Sequence, residues 1–294
     1  MRAGFVEREA CPLCRSPQKN SLCDLGYDEA ELAAFIERFY GNRVAPAQLL
    51  AGRFRVVACA HCGLIYQDPI LDDDAMRLLY QRWVDQDASL RKKQDAGAGL
   101  FRQYAGQMQT LLKIFDGPPR QTRVLDFGMG WGYWSRMAQA HGLAVTGFEL
   151  SEERRRHAQS MGIDVITELP PRGEHFDIIY ANQVFEHLPE PLATLRQLRD
   201  LLTPRGLIYI RVPDGRGVAH TLKRHGWSPG LDAVHPLEHI NCFTRASLIR
   251  LAAEAGLKPF GAPLRLSWGS LLGGMVREFA DRFLTTHLYL RPRP

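Results

Sequence analysis

The chain has 294 residues, of which 45% are hydrophobic and 23% are charged, as in an ordinary soluble globular protein with one large and one smaller domain. Its formal charge of +5 is mildly basic and does not by itself indicate a nucleic-acid-binding protein. No stretch approaches the roughly 18 apolar residues of a membrane span, and the first residues lack the apolar core of a signal peptide, so we expect a cytoplasmic protein.

Two Cys-x-x-Cys pairs indicate a metal-binding module in the N-terminal region. In a reducing compartment, paired cysteines more often bind metal than form disulfides. Four thiolates can complete a closed, tetrahedral structural Zn²⁺ site, so we predict the ligands Cys11, Cys14, Cys59 and Cys62. The 44 residues between the pairs exceed the usual spacing, and two pairs of packed free thiols are the alternative. Cys23 and Cys242 are isolated and are expected to be small core residues.

The first predicted elements belong to this zinc-binding module, which we place at residues 1–85. They are one helix and two strands, at residues 28–41, 54–59 and 63–69. Apolar residues at helical spacing from Leu100 to Phe115 then predict a helix that the sequence DGPP stops. We therefore expect a linking helix within residues 86–118.

From residue 119 to residue 260, strand and helix patterns alternate. Strands are predicted at residues 123–127, 144–150, 163–167, 176–182 and 206–212. Helices are predicted at residues 133–140, after the cap Ser151, along the leucines from Leu192 to Leu202, and from the cap Thr244 to Gly256. Regular alternation of this kind predicts an α/β fold with a parallel sheet and helices on both faces.

The glycine turn after the first of these strands predicts a ligand site, because ligands bind at the carboxyl ends of the strands in an open parallel sheet. Its sequence, VLDFGMGWG, has the pattern G-x-G-x-G and lacks the G-x-G-x-x-G of dinucleotide-binding proteins. Asp126 would repel a pyrophosphate, but it suits a ligand with amine or hydroxyl donors and a positive charge. Glu149 ends the next strand, where a carboxylate can accept hydrogen bonds from a ribose diol.

These groups suit S-adenosylmethionine, which combines ribose, amine, carboxylate and sulfonium groups. The ring faces of Trp131, Tyr133 and Trp134 would tolerate the sulfonium, since aromatic rings attract cations. A doubly wound fold whose glycines only permit tight packing, and a nicotinamide-dependent dehydrogenase, are the alternatives.

Over residues 120–260 the chain resembles the class I S-adenosylmethionine-dependent methyltransferases. The resemblance rests on the stretches VLDFGMGWG, GFELS, FDIIYANQVFEHL and LTPRGLIYIRVPD, in this order. It implies an enzyme with a Rossmann-like, seven-stranded sheet whose last strand is antiparallel, in a methyltransferase domain at residues 119–260. By position it implies these cofactor-binding residues: Asp126, Phe127, Gly128, Gly130 and Gly132 on the methionine side, Glu149 and Leu150 at the ribose, Glu168 and Leu169 near the adenine, and Asn182 near the methionine end.

The N-terminal stretches CPLCRSP, LCDLG and CAHCGLIYQDP resemble the zinc-binding module that precedes many bacterial methyltransferases acting on sugars. The sugar C-methyltransferases among them usually carry a further C-terminal domain, which 294 residues cannot hold, so we expect O-methylation. Residues 261–294 form a predicted amphipathic tail, which we expect to dock on the catalytic domain or on a second subunit. Association with a membrane surface is the alternative.

A sugar hydroxyl needs a base to take its proton, and histidine is the usual residue near neutral pH. Five of the ten histidines lie between residues 187 and 239, and all five are predicted to follow strand ends on the ligand side of the sheet. We expect His187 or His239 to be the base, with Glu238 orienting one of them and His235 as the next candidate. Hydrogen-bonded loop histidines are one alternative, and a set of histidines and carboxylates that holds a divalent ion is another.

The sequence therefore predicts a methyltransferase that uses S-adenosylmethionine to methylate a hydroxyl of a nucleotide sugar or a surface glycan. Methylation of oxygen or nitrogen in a small molecule of quinone or secondary metabolism is the main alternative. RNA methylation and an inactive cofactor-binding module are further alternatives, but the acidic run Asp72-Asp73-Asp74 argues against an RNA partner. The sequence leaves open the acceptor, the methylated atom and whether the chain forms a homodimer.

Overall fold

The computed structural model describes residues 3–261 and 285–293, which divide into two compact units. Unit 1 contains the described residues up to Ala88, together with Phe185–Leu192 and Pro213–Glu254. Unit 2 contains Ser89–Val184, Ala193–Val212 and the described residues from Ala255 onwards. Neither unit is continuous in sequence, whereas the sequence predicts consecutive domains.

The secondary structure follows the predicted alternation closely. The helices of the described chain are α1 (Ala30–Phe39), α2 (Asp73–Leu78), α3 (Gln86–Gln94), α4 (Ala98–Ile114), α5 (Tyr133–Ala140), α6 (Glu152–Ser160), α7 (Pro191–Arg199), α8 (Val218–His225) and α9 (Arg245–Glu254). Its strands are β1 (Phe5–Val6), β2 (Lys19–Gly26), β3 (Arg53–Cys59), β4 (Ile65–Gln67), β5 (Ile70–Leu71), β6 (Arg123–Phe127), β7 (Ala144–Phe148), β8 (Asp164–Ile166), β9 (Phe176–Asn182), β10 (Leu202–Arg211), β11 (Asn241–Cys242), β12 (Leu257–Phe260) and β13 (His287–Pro292). Among these helices, none combines the length and the apolar character needed to cross a membrane.

Unit 2 is built on a seven-stranded sheet with the order β12-β13-β10-β9-β6-β7-β8. Strands β6 to β10 run parallel to one another, and β13 is antiparallel to both β10 and β12. This arrangement confirms the predicted α/β methyltransferase fold with an antiparallel last strand. From β6 the chain adds β7 and β8 on one side of the sheet, and from β9 it adds β10 on the other side. Ligands of open α/β sheets bind where the strand order reverses in this way.

Strand β13 corrects the prediction of a C-terminal tail. Its residues lie within the predicted tail at 261–294, yet they pair with β10, with Leu290 opposite Ile208. Leu288 and Leu290 are buried and alternate with less buried residues, as expected for a strand. Residues 262–284 of the predicted tail lie outside the described residues.

Unit 1 contains a four-stranded antiparallel sheet with the order β11-β4-β3-β2 and a small pair of strands, β1 and β5. Strand β11 lies far along the chain, but Cys242 pairs with Ile65 of β4. The same apolar core includes Leu32 and Phe54 from the N-terminal region and Trp227 from the later segment. The N-terminal region therefore buries its apolar surface together with a segment that the sequence assigns to the methyltransferase domain.

Helix ends follow the predicted caps with one exception. The Ser151 side chain accepts a hydrogen bond from the Arg154 amide at the start of α6. The Thr244 side chain accepts one from the Ser247 amide at the start of α9. The predicted helix at Leu192–Leu202 is too long, because α7 ends at Arg199 and Leu202 already begins β10, paired with Phe176.

Candidate functional site

The glycine turn connects β6 to α5 at the carboxyl edge of the unit 2 sheet. Gly128, Gly130 and Gly132 have φ angles of 71°, 58° and 77°, which only glycine adopts readily. A Cβ on Gly128 would lie 2.7 Å from a methyl of Val184, and one on Gly132 would lie 2.7 Å from Ile163. A Cβ on Gly130 would meet no described atom within 4 Å, so this side of the turn faces open space.

The carboxylate of Glu149 connects the glycine turn to the start of α6. Glu149 follows β7 and is buried, and it accepts a hydrogen bond from the Gly130 amide at 3.0 Å and another from the Ser151 amide at 2.9 Å. Two amide donors hold the carboxylate in one orientation. Its remaining lone pairs can accept hydrogen bonds from a ribose diol.

Asp126 lies at the centre of the same edge and is 3% exposed. The Ser135 hydroxyl of α5 donates a hydrogen bond to its Oδ2 at 2.6 Å. Burial raises the pKa of Asp126 to about 7, the hydrogen bond from Ser135 opposes this shift, and the like charge of Glu149 adds to it. A ligand with a cationic or amine group would stabilise the ionised form, which fits the methionine part of S-adenosylmethionine.

The raised pKa of Asp126 predicts a pH-dependent loss of stability in the cofactor-free protein. A pKa above the unfolded value of about 3.9 gives stability that is lost as the pH rises through 7. The Asp126→Asn variant keeps the acceptor for Ser135 and should escape this loss. Its free energy of unfolding relative to the wild type should rise by up to about 4 kcal/mol between pH 4 and pH 8.

Urea unfolding across this pH range measures the effect, with the exposed Asp164→Asn as the matched control. Parallel pH dependences of the wild type and Asp126→Asn would contradict the assigned ionisation.

Asn182 at the end of β9 completes this edge. It lies two residues beyond Tyr180, which pairs with Asp126 across the adjacent strands. Its side-chain oxygen is buried and has no hydrogen-bond partner among the described residues. A buried amide oxygen without a partner is costly, so a ligand amine would satisfy it. Together with the open side of Gly130, this oxygen shows that the residues present fit S-adenosylmethionine.

The residues predicted near the adenine lie beside the end of β7. Glu168 and Leu169 follow β8 and line a cavity of about 500 Å³ together with Phe148. Leu150 is 68% exposed, so its side chain can cover a bound ligand. Phe127 is buried and stacks on Phe148 at 4.9 Å, which makes it a support of the turn.

Two of the aromatic residues predicted to lie near the sulfonium are buried and make other contacts. Trp134 is buried, stacks on Tyr180 at 3.7 Å and donates its ring N–H to Gln107 at 2.9 Å. Trp131 is also buried and donates its ring N–H to Ser89. The ring of Trp134 belongs to the apolar core of unit 2, which the sequence pattern alone does not distinguish from a ligand site.

Glu149 is expected to determine the affinity for the cofactor. The Glu149→Ala variant removes both the ribose acceptor and the link between Gly130 and Ser151. We expect at least a tenfold weaker binding of S-adenosylmethionine or its demethylated product, corresponding to about 1.4 kcal/mol. Calorimetry measures this, with the exposed Glu153→Ala as the control. Equal affinities in the wild type and Glu149→Ala would be inconsistent with the assigned site.

The two cysteine pairs converge in unit 1. The Sγ atoms of Cys11 and Cys62 lie 3.5 Å apart, as do those of Cys14 and Cys59. All four sulfur atoms lie within 4.8 Å of one another. A tetrahedral Zn²⁺ with bonds of about 2.3 Å separates its sulfur ligands by about 3.8 Å, so the cluster fits this ion.

Both cysteine pairs form tight turns. Arg15 and Gly63 follow the two pairs with φ angles of 62° and 74°, so the arginine adopts a conformation that favours glycine. Burial opposes ionisation of Cys59, but the amides of Cys62 and His61, together with the Cys14 thiol, lower the pKa of Cys59 to about 7. Without a metal, burial raises the pKa of Cys11 to about 11 and also raises that of Cys62. Ionised thiolates are the form that binds metal. Outside the cluster, Cys242 is buried in the core of unit 1 and Cys23 packs against that core, as predicted.

The candidate bases His187 and His239 meet in unit 1, with ring centroids 4.9 Å apart. His187 Nδ1 lies 2.9 Å from the Glu238 carbonyl oxygen and 3.0 Å from the Tyr80 hydroxyl. His239 Nδ1 is hydrogen-bonded to the Asp232 carbonyl oxygen. Because a carbonyl oxygen only accepts, each Nδ1 donates its proton and each Nε2 carries the lone pair. Burial lowers the pKa of His239, which keeps this imidazole neutral near pH 7.

Glu186 lies beside these histidines in the turn Phe185–His187. Its side chain is 1% exposed, and its Oε1 is 3.8 Å from His187 Nε2. Burial raises the pKa of Glu186 to about 8, and the charge of Asp232 adds to the shift. Sequence patterns single out the histidine of this pair, but only the structure shows how deeply the glutamate is buried.

His235 and Glu238 have different surroundings from those predicted. His235 is 7% exposed and contacts the rings of Phe35 and Phe39, and burial lowers its pKa to about 4. The Glu238 carboxylate accepts a hydrogen bond from the Tyr40 hydroxyl at 2.9 Å. Glu238 was predicted to orient His187 or His239, and its backbone carbonyl oxygen accepts a hydrogen bond from the Nδ1 of His187.

Two of the five clustered histidines do not lie in loops on the ligand side of the sheet, as was predicted for them. His220 and His225 lie on α8 and are exposed. The histidines of the loop before β11 are instead held by Gln67, which sequence reasoning missed. Its side-chain amide donates to the backbone oxygens of His235 at 2.7 Å and His239 at 2.9 Å. No local pattern links Gln67 to residues so far along the chain.

A family model described as a methyltransferase domain matches residues 97–260, which are more than half of the 294 residues. Several curated relatives are named ubiquinone biosynthesis O-methyltransferase. The protein from Aeromonas salmonicida is 27% identical over 148 residues, covering 46% of this chain and 62% of that protein. The protein from Ruegeria pomeroyi is 34% identical over 118 residues, covering 37% and 47%. The chain thus spans less than two thirds of the length of these two relatives.

A third relative with the same name, from Dinoroseobacter shibae, is 32% identical over 179 residues, covering 54% of this chain and 69% of that protein. Among solved structures, the plantazolicin methyltransferase BpumL in complex with a monoazolic desmethylPZN analog and SAH is 18% identical, with a TM-score of 0.50 over 76% of this chain and 91% of that one. This structural likeness concerns the fold alone. The family model and the relative from Dinoroseobacter shibae show that the chain belongs to the class I S-adenosylmethionine-dependent methyltransferases.

Proposed function

We propose that the protein transfers the methyl group of S-adenosylmethionine to a hydroxyl oxygen of a small molecule. The observation that carries this proposal is the set of Asp126, the glycine turn, Glu149 and Asn182 along one edge of the unit 2 sheet. Asp126 matches the cationic methionine end of the cofactor, and the glycine turn lets the backbone approach the ligand closely. Glu149 matches the ribose diol, and Asn182 matches the amine. The names of the curated relatives support a hydroxyl as the acceptor group.

The cofactor, when bound, supplies an electrophilic methyl group on a sulfonium. Asp126 and the oxygen of Asn182 would hold its cationic end, and Glu149 would hold its ribose. The bound cofactor would supply this methyl group to an acceptor oxygen positioned beside it. A base must take the proton of the hydroxyl, and His187 and His239 are the candidates, since each carries a lone pair on Nε2.

Two acceptor classes are consistent with this mechanism. The relatives named ubiquinone biosynthesis O-methyltransferase favour a ring hydroxyl. The resemblance of the N-terminal stretches to the modules of sugar methyltransferases favours a hydroxyl of a nucleotide sugar or a glycan. A sugar hydroxyl is a weaker acid than a phenol and depends more on the base, so the two classes differ in their response to loss of a histidine.

The experiment measures release of the demethylated cofactor from the purified chain with a panel of phenols, catechols and nucleotide sugars. Turnover with a phenol or catechol supports the ring hydroxyl, and turnover with a nucleotide sugar supports the sugar. The Glu149→Ala variant should lose turnover with the same acceptor at subsaturating cofactor. Turnover only with amines would contradict transfer to oxygen.

We also propose that the four cysteines hold one structural Zn²⁺. Their sulfur separations fit the ion, and a closed four-thiolate site leaves no position for substrate. The metal would connect the turn after Cys14 to the turn after Cys59 and so stabilise the end of β3. We expect no direct part for it in methyl transfer.

A further inference from the structure

We infer that Glu186, His187 and His239 form a second metal site, which binds one divalent cation in unit 1. The carboxylate and the two imidazoles offer ligand atoms that all lie within 4.8 Å of one another. Two histidines and one carboxylate are a ligand set that binds first-row divalent metals and leaves coordination positions open. The inference goes beyond the proposed methyl transfer, because binding of the cation requires neither cofactor nor acceptor.

The first supporting observation is the isolation of the Glu186 carboxylate. Both of its oxygens are buried, and neither has a hydrogen-bond partner among the described residues. A buried carboxylate is stable in its charged form only when it is paired or coordinates a metal. The Oε1 of Glu186 lies 3.8 Å from the Nε2 of His187. A cation between these two atoms would supply the missing interaction.

The second observation is the orientation of the two imidazoles. Each Nδ1 donates to a backbone carbonyl, that of Glu238 for His187 and that of Asp232 for His239. Histidines that bind metal typically donate their other ring N–H to a carbonyl or carboxylate, which fixes the ring and makes the ligand nitrogen more basic. Both Nε2 atoms therefore carry lone pairs, as ligation requires.

The third observation is the chemical character of the atoms that converge. Two imidazoles and one carboxyl group each offer one ligand atom here. A cation that displaces the carboxyl proton would bind all three groups at once. An Nε2 atom that binds the cation cannot also accept a proton, so the histidines would not act as bases in the cation-bound form. The metal itself would then acidify a coordinated hydroxyl.

The test uses Mn²⁺ as the probe and the full-length chain with its zinc content measured beforehand. Mn²⁺ prefers imidazole, carboxylate and water over thiolates, so it reports on this site without competing for the cysteines. Electron paramagnetic resonance of the free Mn²⁺ measures binding in the absence of cofactor and acceptor. We expect one saturable Mn²⁺ per chain, with at least tenfold weaker binding in Glu186→Gln and in His239→Ala.

The exposed His225→Ala is the matched control and should bind Mn²⁺ like the wild type. If Glu186→Gln does not fold, as judged by its zinc content and circular dichroism, His239→Ala decides the outcome. Absence of saturable binding by the wild type, or unchanged affinity in the folded variants, would overturn the inference. Either result is independent of the proposed methyl transfer, because no turnover is measured.

Discussion

Replacing by alanine whichever of His239 and His187 is the general base is expected to lower turnover by about 10²- to 10⁴-fold, the usual contribution of such a base. Each imidazole has its Nδ1 tied to a backbone carbonyl and presents a lone pair on Nε2. The affinity for S-adenosylmethionine should not change, because Asp126, Glu149 and Asn182 all belong to the other compact unit. Initial rates with an accepted hydroxyl compound, together with calorimetry for the cofactor, measure the two quantities.

The pH profile gives a second readout for the base. Only neutral imidazole can accept a proton, so turnover should fall on the acid side as the base becomes protonated. Burial lowers the pKa of His239, which places this acid limb below the ordinary histidine value of about 6.5 if His239 is the base. His239→Ala should then lack that limb, whereas His187→Ala should keep it.

The exposed His225→Ala is the control for the loss of an imidazole. The base lies elsewhere if both cluster variants retain near-normal rates and an intact acid limb. His235 is then the remaining candidate from the sequence, although its ring lies among the aromatic residues of unit 1.

Replacing Cys59 by serine is expected to release zinc and to destabilise unit 1 by several kcal/mol, because the binding free energy of a structural metal contributes directly to folding. The same substitution should also lower turnover. Cys59 ends β3, which pairs with β4, and Gln67 of β4 holds the backbone of His235 and His239. Cofactor binding should persist, since its residues lie in unit 2.

Metal analysis of protein purified without added metal and without chelator measures the site, with an expected content of about one zinc per chain. Cys23→Ser is the matched control, because Cys23 packs against the unit 1 core and lies outside the cluster. A wild-type protein without zinc, or a Cys59→Ser variant with unchanged zinc content, would rule out the four-cysteine site.

Local patterns in the sequence were sufficient for most of the fold. Alternating strand and helix signals from residue 119 onwards predicted β6 to β10 and the helices between them, and the capping residues Ser151 and Thr244 marked two helix starts. These features depend on neighbouring residues and on regular periodicity, so they are visible without knowledge of the tertiary structure. The glycine turn and the spacing of the cysteines are likewise local features of the sequence.

The predicted end of α7 failed for a related reason. Leu201 and Leu202 continue the apolar pattern of the helix, but the structure uses Leu202 to begin β10. Periodicity indicates which residues are apolar, but it does not indicate whether the surface that they pack against is a sheet or a helix. The same limit applies to Trp134, whose ring is part of the core.

The sequence by itself determined the class of fold, the cysteine cluster as a candidate metal site and the residues that we propose to bind the cofactor. Only the tertiary structure decided that β11 joins the N-terminal sheet, that Gln67 holds the histidine loop and that Glu186 is buried beside His187 and His239. These contacts join residues that are far apart in the chain, and no local periodicity encodes them. They depend on long-range strand pairing and on a shared apolar core, which form only when the distant segments fold together.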